Sequence, residues 1–163
     1  MFKVGIIVAS DKGAKGERTD ESGKLIEEIM TENGYKIEKT AILPDEREIL
    51  AQAMREMCDQ LKLDLLLTSG GTGFSPRDWT PEATLDVIDR LVPGIPEAMR
   101  AYSLKITPMA MLSRAVAGIR KQTLIINLPG SPKAVKENLD CILPALPHGL
   151  EVLRGTAGDC ARK

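Results

Sequence analysis

Histidine occurs once in this chain, at His148, and aromatic residues make up only 3% of its 163 positions. No Cys stands at ligand spacing from that histidine, which argues against a zinc site built on it, and no histidine is placed to activate a serine nucleophile. His148 itself, between Pro147 and Gly149, reads as an exposed turn residue. The shortage of aromatics means a core assembled from Leu, Ile, Val, Ala and Met. Cysteine is scarce as well. Cys58, Cys141 and Cys160 are odd in number and form no CxxC pair, which argues for a reducing compartment and against a thiolate metal site. Neither sign of charge is in excess: 22 Lys and Arg face 23 Asp and Glu, a net charge of -1, so no overall field attracts nucleic acid. No apolar run approaches the roughly 20 residues of a membrane helix. The short apolar start is followed by Asp11 and Lys12, where a signal peptide would need small uncharged residues. The expectation is a soluble, cytoplasmic protein with no nucleic-acid or membrane partner, whose anionic ligands are met by local charge.

What is present reads as one domain over residues 1–163, since this length suits one well-buried core and is short for two. "KVGIIVA" (Lys3 to Ala9) is continuous and β-branched, the pattern of a strand covered on both faces. After the glycine-containing loop Ser10 to Asp20, "ESGKLIEEIMTEN" carries apolar residues at helical spacing and ends near Gly34. "YKIEKTAIL" alternates more and is expected nearer a sheet edge, and Glu46 to Lys62 forms an amphipathic helix. "LDLLLTS" (Leu63 to Ser69) is the next buried strand. Thr80 and Pro81 read as N-cap and first position of a helix to about Leu91. "PEAMRAYSLKI" is a helix, and "MAMLSRA" a short one. Thr123 to Leu128 is a buried strand, Ser131 and Pro132 cap a helix through Ile142, and Pro144 and Pro147 end the regular pattern. Arg120 and Lys121 are expected in solvent. Strands alternating with helices imply an α/β fold, a mostly parallel sheet with helices on both faces in three layers. Ligands of such sheets bind beyond the carboxyl ends of the strands.

The stretch "SGGTGFSPRDWTPEAT" (Ser69 to Thr84) leaves its strand through such an end. Glycines at 70, 71 and 73 let backbone N–H groups approach an anion, although a turn requiring positive φ would use the same glycines with no ligand. The pattern is neither G-x-G-x-x-G nor the P-loop. Arg77 and Asp78 follow closely, and the topology brings Asp45 to a neighbouring strand end, so two carboxylates and a guanidinium converge on the glycines. Paired carboxylates beside a phosphate suit Mg²⁺. Taken singly, Asp45 would serve an Asx turn or helix cap in "PDER", and Asp78 would pair with Arg77.

The motifs "SDKGAKGERTDESG", "ILPDER", "TSGGTGFSPRDWTPEAT", "LSRAVAG" and "LPGSPKAVKE" occur in one order across nearly the whole chain. Together they resemble the MogA/MoaB family of molybdenum cofactor biosynthesis proteins. The resemblance implies transfer of AMP from Mg-ATP to the terminal phosphate of molybdopterin, with pyrophosphate released. It implies Asp45 and Asp78 as catalytic residues, and Ser69, Gly70, Gly71, Thr72, Gly73, Ser113, Pro129, Gly130 and Ser131 as molybdopterin contacts; the charge pattern adds Mg²⁺ on Asp45 and Asp78 and Arg77 as a substrate-binding cation against the transferring phosphoryl group. Ser10 and Asp11 fall where the nucleotide is expected. It further implies a homotrimer and hand-over of product to the molybdate-inserting protein. Compact MoaB-type relatives include pterin binders without catalysis, and multidomain molybdate-inserting ligases share the fold. Occupation of both acidic positions, 45 and 78, favours the transferase.

A phosphate monoester is largely dianionic near neutral pH because its second pKa is about 6. Its oxygen therefore attacks without a histidine base, and the catalytic problem becomes positioning and charge neutralisation.

Overall fold

Uninterrupted apolar runs become the inner strands of one six-stranded sheet in a computed structural model that describes residues 1–158. Cys160, one of the three cysteines, lies outside the described residues. The elements run β1 (Lys3–Ala9), α1 (Asp11–Ala14), α2 (Glu21–Glu32), β2 (Lys36–Leu43), α3 (Arg47–Leu61), β3 (Leu65–Ser69), α4 (Thr80–Leu85) and β4 (Arg90–Leu91). They continue with α5 (Gly94–Leu104), a 3₁₀ turn at Pro108–Leu112, β5 (Ala117–Arg120), β6 (Thr123–Leu128), α6 (Pro132–Ile142) and α7 (Leu146–Arg154). The strand order is β2-β1-β3-β6-β5-β4. The first four are parallel, β5 runs antiparallel to β6, and β4 antiparallel to β5.

The two faces of the sheet explain why its strands show no polar alternation. Val4, Ile6, Val8, Leu65, Leu67, Leu124 and Ile126 point to one layer, where they meet Ile26 and Met30 of α2, Met99 of α5, Leu139 of α6 and Leu150 of α7. Ile7, Leu66 and Ile125, the residues between, point to the other layer and meet Leu50, Met54 and Met57 of α3 and Ala83 of α4. Side chains alternate faces at every residue, so two covered faces favour apolar residues at successive positions, and the buried polar exceptions Thr68, Thr123 and Asn127 are hydrogen-bonded. The three layers are those expected from the sequence. β2, which alternates more, does lie at an edge. Cys58 is part of the second layer, and burial pushes its thiol up to about 11, the behaviour of a core residue.

The local readings at Thr80, Leu91, Arg120, Pro147 and His148 are corrected. Thr80 is the first helical residue, not the N-cap, and α4 stops at Leu85. The chain there leaves the helix to pair with β5: Asp89 N–H donates to the Ile119 carbonyl at 2.7 Å. β4 and β5 were not apparent because β4 has two residues and β5 opens Ala-Gly, poor strand formers. Gly118 is required there, since a Cβ would lie 2.8 Å from the Arg90 carbonyl oxygen. Arg120 is not solvated. Its guanidinium donates to both oxygens of Asp59, at 3.0 and 2.7 Å, and to the Val87 carbonyl at 2.9 Å. Pro147 begins a helix instead of ending one, because the first turn needs no N–H donor. His148 is therefore an exposed helical residue of α7.

Candidate active site

The chain visits β1, steps to β2 on one side, and returns to place β3 on the other side of β1. The loops after β1 and β3 therefore diverge, leaving a crevice at their carboxyl ends, the point at which open α/β sheets take ligands. A cleft of about 540 Å³ lies there, and Ser10, Asp45, Gly70, Gly71, Asp78 and Ser131 are among its lining residues. All four loops expected to carry the site converge on it.

The glycine loop is shaped by backbone necessity. Gly70 and Gly71 have φ of +90° and +68°, conformations that side chains rarely adopt. A Cβ on Gly70 would lie 2.5 Å from the Ala9 carbonyl oxygen, and one on Gly71 would lie 2.4 Å from Thr80 Oγ1 and 3.2 Å from Asp45 Oδ1. Gly70 N–H donates to the Leu128 carbonyl at 3.2 Å, and the Ser69 hydroxyl donates to the Pro129 carbonyl at 2.8 Å. The glycine loop and "LPGSP" are thus one bonded unit. Ser22 of α2 joins it by donating to the Gly130 carbonyl at 2.6 Å. Ser131 caps α6, its hydroxyl accepting from Ala134 N–H at 3.3 Å, so the α6 N-terminus opens into the cleft.

Asp45 reaches across the chain instead of closing a local turn. Its Oδ2 accepts from Asp11 N–H at 3.0 Å, while Asp45 N–H donates to Asp11 Oδ1 at 2.9 Å. Neither an Asx turn nor a helix cap is made by this side chain: the N-cap position of α3 is Glu46, which makes no side-chain cap bond. Burial pushes the Asp45 carboxyl above the usual range, and the charges of Asp11 and Asp78 add to the rise. Asp78 does not pair with Arg77. Its Oδ2 accepts from Gly73 N–H at 3.1 Å and Ser75 N–H at 3.0 Å. Oδ1 of each carboxylate makes no hydrogen bond within the described residues, and the Thr80 hydroxyl, fully buried, is also unpartnered.

Arg77 is placed differently from expectation. Its guanidinium donates to Asp11 at 3.0 and 2.9 Å and to Glu46 at 3.1 Å, and it does not line the cleft. The same guanidinium lowers the Asp11 carboxyl from its usual range. Asp11 is likewise engaged with Arg77 and Asp45 instead of facing the cleft, and the Ser10 hydroxyl accepts from Gly13 N–H at 3.0 Å. Thr72, Gly73, Ser113 and Pro129 line a second, more apolar cavity of about 280 Å³ beyond the glycine loop. The loop is thus a partition with a cavity on each side. Sequence reasoning missed Arg18, the cationic residue of the cleft lining, and Arg114, which binds the back of the loop. Both sit in the motifs "KGERTDE" and "LSRAVAG", but no spacing rule marks either.

Magnesium fits this donor set. The Asp45 and Asp78 carboxylates each keep one oxygen unengaged, that of Asp45 near the orphaned Thr80 hydroxyl around Gly71, and Mg²⁺ is usually bound by one or two carboxylates with phosphate oxygens and water. Among the described residues no group of three or more His, Cys, Asp or Glu side chains is placed to hold an ion by itself.

Residues 5–148 match the family model described as "Probable molybdopterin binding domain". The chain is 44% identical over 156 residues to a molybdopterin adenylyltransferase of Helicobacter pylori J99, covering 93% of this chain and 88% of that one. It is 43% identical to the molybdopterin adenylyltransferase of Escherichia coli K12, covering 91% and 80%. Its fold superposes on the molybdopterin biosynthesis enzyme MoaB of Thermus thermophilus with a TM-score of 0.90 at 49% identity, covering 95% and 98%.

Proposed function

This chain belongs to the MogA/MoaB family of molybdenum cofactor biosynthesis proteins, and we infer from its site that it is a molybdopterin adenylyltransferase. ATP and molybdopterin are its substrates. An oxygen of the molybdopterin terminal phosphate attacks the α-phosphorus of ATP, the new P–O bond forms as the bond to the β-phosphate bridge oxygen breaks, and pyrophosphate leaves. The observation that carries this reading is the cleft at the β1/β3 divergence, where Asp45, Asp78 and the Gly70–Gly71 backbone face one space.

The residues divide the task by chemistry. The backbone N–H groups of Gly71, Thr72, Gly130 and Ser131 and the α6 N-terminus bind anionic oxygens, while Ser69, Gly70, Gly73 and Pro129 hold the two loops in shape. Ser113 and Thr72 contact the pterin from the apolar cavity. Ser10 and Arg18 face the nucleotide. Asp45 and Asp78 would hold Mg²⁺, which when bound supplies positive charge against the phosphoryl groups. Arg77 acts indirectly, holding Asp11 and through it the Asp45 loop. The protein's own contribution is positioning, because the attacking oxygen arrives already ionised. The enzyme works as a homotrimer in the cytoplasm and passes adenylylated pterin to the molybdate-inserting protein. Sedimentation tests the trimer.

Incubation with molybdopterin and Mg-ATP is expected to give adenylylated pterin by mass, with one pyrophosphate released per AMP transferred. Pterin binding without AMP transfer, or pyrophosphate release independent of pterin, overturns the assignment.

A further inference from the structure

The segment carrying Asp78 is closed from behind by one residue that faces neither substrate cavity's chemistry. Arg114 Nε donates to the Gly73 carbonyl at 2.7 Å, Nη2 donates to the Asp78 carbonyl at 2.7 Å, and Nη1 is paired with the Glu82 carboxylate of α4. Its backbone N–H donates to the Thr72 carbonyl at 2.8 Å. Both ends of the segment Gly73 to Asp78 are thereby tied to one side chain, and α4 anchors that side chain in turn.

The direction of these bonds has a chemical effect. In a trans peptide the C=O and the following N–H point to opposite sides. With the Thr72 carbonyl turned toward Arg114, the Gly73 N–H is turned away from it, and that N–H donates to Asp78 Oδ2 at 3.1 Å. The Ser75 N–H completes the grip on the same oxygen at 3.0 Å. Oδ2 is thus held by the backbone, leaving Oδ1 for the cleft. We propose that Arg114 is the positioning residue that sets the Asp78 carboxylate for AMP transfer, its guanidinium fixing the Gly73 and Asp78 carbonyls together while its backbone N–H holds the Thr72 carbonyl. Lysine cannot replace it, because a point charge on a flexible stem cannot address three acceptors held by a planar fork. This proposal rests on the transferase reading of Asp78.

The test compares Arg114→Lys, Arg114→Gln, Glu82→Gln and Asp78→Asn in the full chain. The two Arg114 variants are expected to lower kcat by about 100-fold through misplacement, with molybdopterin Kd changed less than about 3-fold and the Mg²⁺ concentration for half-maximal rate raised. In the same variants the Gly73 and Ser75 amides are expected to exchange hydrogen about 10-fold faster, while core β1 and β3 amides keep their protection. Glu82→Gln, which loosens the anchor without removing the guanidinium, shifts both quantities the same way by less, and serves if an Arg114 variant fails to fold. Wild-type Gly73 and Ser75 exchange in the Arg114 variants overturns the proposal whatever the turnover. So does faster exchange with unchanged kcat. If Asp78→Asn retains wild-type turnover, the transferase role of Asp78 falls instead, a result separate from either.

Discussion

At Asp45 the proposed chemistry and the stability of the fold bear on one side chain. Burial raises its carboxyl above the ordinary value, with Asp11 and Asp78 adding repulsion. A carboxyl whose folded pKa exceeds its unfolded pKa binds more protons when folded, so its contribution to stability falls as pH rises between the two values. At neutral pH the ionised Asp45 is therefore a destabilising group in the empty protein. Asp45→Asn is expected to raise Tm at pH 7, to lose that advantage below the unfolded carboxylate pKa, and to lower AMP transfer by about 10²–10³-fold. Calorimetry across pH, with wild type as reference, isolates this effect from the opposite trend of Asp11, whose carboxyl is lowered. Gly71 is the second residue-scale case. Its positive φ and the 2.4 Å approach of Thr80 Oγ1 leave no room for a methyl group. Gly71→Ala should cost about 1–3 kcal/mol and displace the loop, so that urea midpoint and turnover fall together.

At the scale of elements, the antiparallel pair β4–β5 closes one side of the sheet with little side-chain burial, and two features hold it. Gly118 allows β4 to approach, and Arg120 ties the end of β5 to Asp59 on α3 and to the Val87 carbonyl. Gly118→Val should cost about 1–3 kcal/mol by overpacking against Ile88 and the Arg90 backbone, read as a lower urea midpoint. The same edge leads through Arg114 to the back of the glycine loop. Disorder of β4–β5 is thus expected to reach the site through that residue before it reaches the β1–β3 core.

At the scale of the whole molecule, α7, the last helix among the described residues, is joined to the first strand. Arg154 donates from Nε and Nη2 to Asp64, each at 2.6 Å, and its guanidinium lies 4.4 Å over the Phe2 ring. Asp64 also accepts from Lys3 N–H at 2.8 Å. Arg154→Ala should remove about 2–3 kcal/mol from a charge-assisted pair and its ring contact. The expected readout is a lower urea midpoint with AMP transfer unchanged below the transition. The clamp lies at the opposite end of β1 from the cleft, so stability and catalysis separate along the strand.

Apolar runs, helical spacing and glycine or proline punctuation are local signals, so the α/β class, the inner strands and the four ligand-side loops could be read directly from the chain. Asp45 and Asp78 were legible as a pair only through the strand order those runs implied. What each charged group holds became visible only after folding. Arg77 went to Asp11 and Glu46, Asp78 to backbone N–H groups, and Arg120 to Asp59, since ion pairs form with whatever carboxylate the fold brings within reach. β4 and β5 are likewise products of their surroundings: two residues and an Ala-Gly start carry no strand signal, and their pairing comes from their neighbours. Arg114 belongs to the same class, because its three acceptors are separated from it by more than 30 residues of chain, and only the folded sheet places them around one guanidinium.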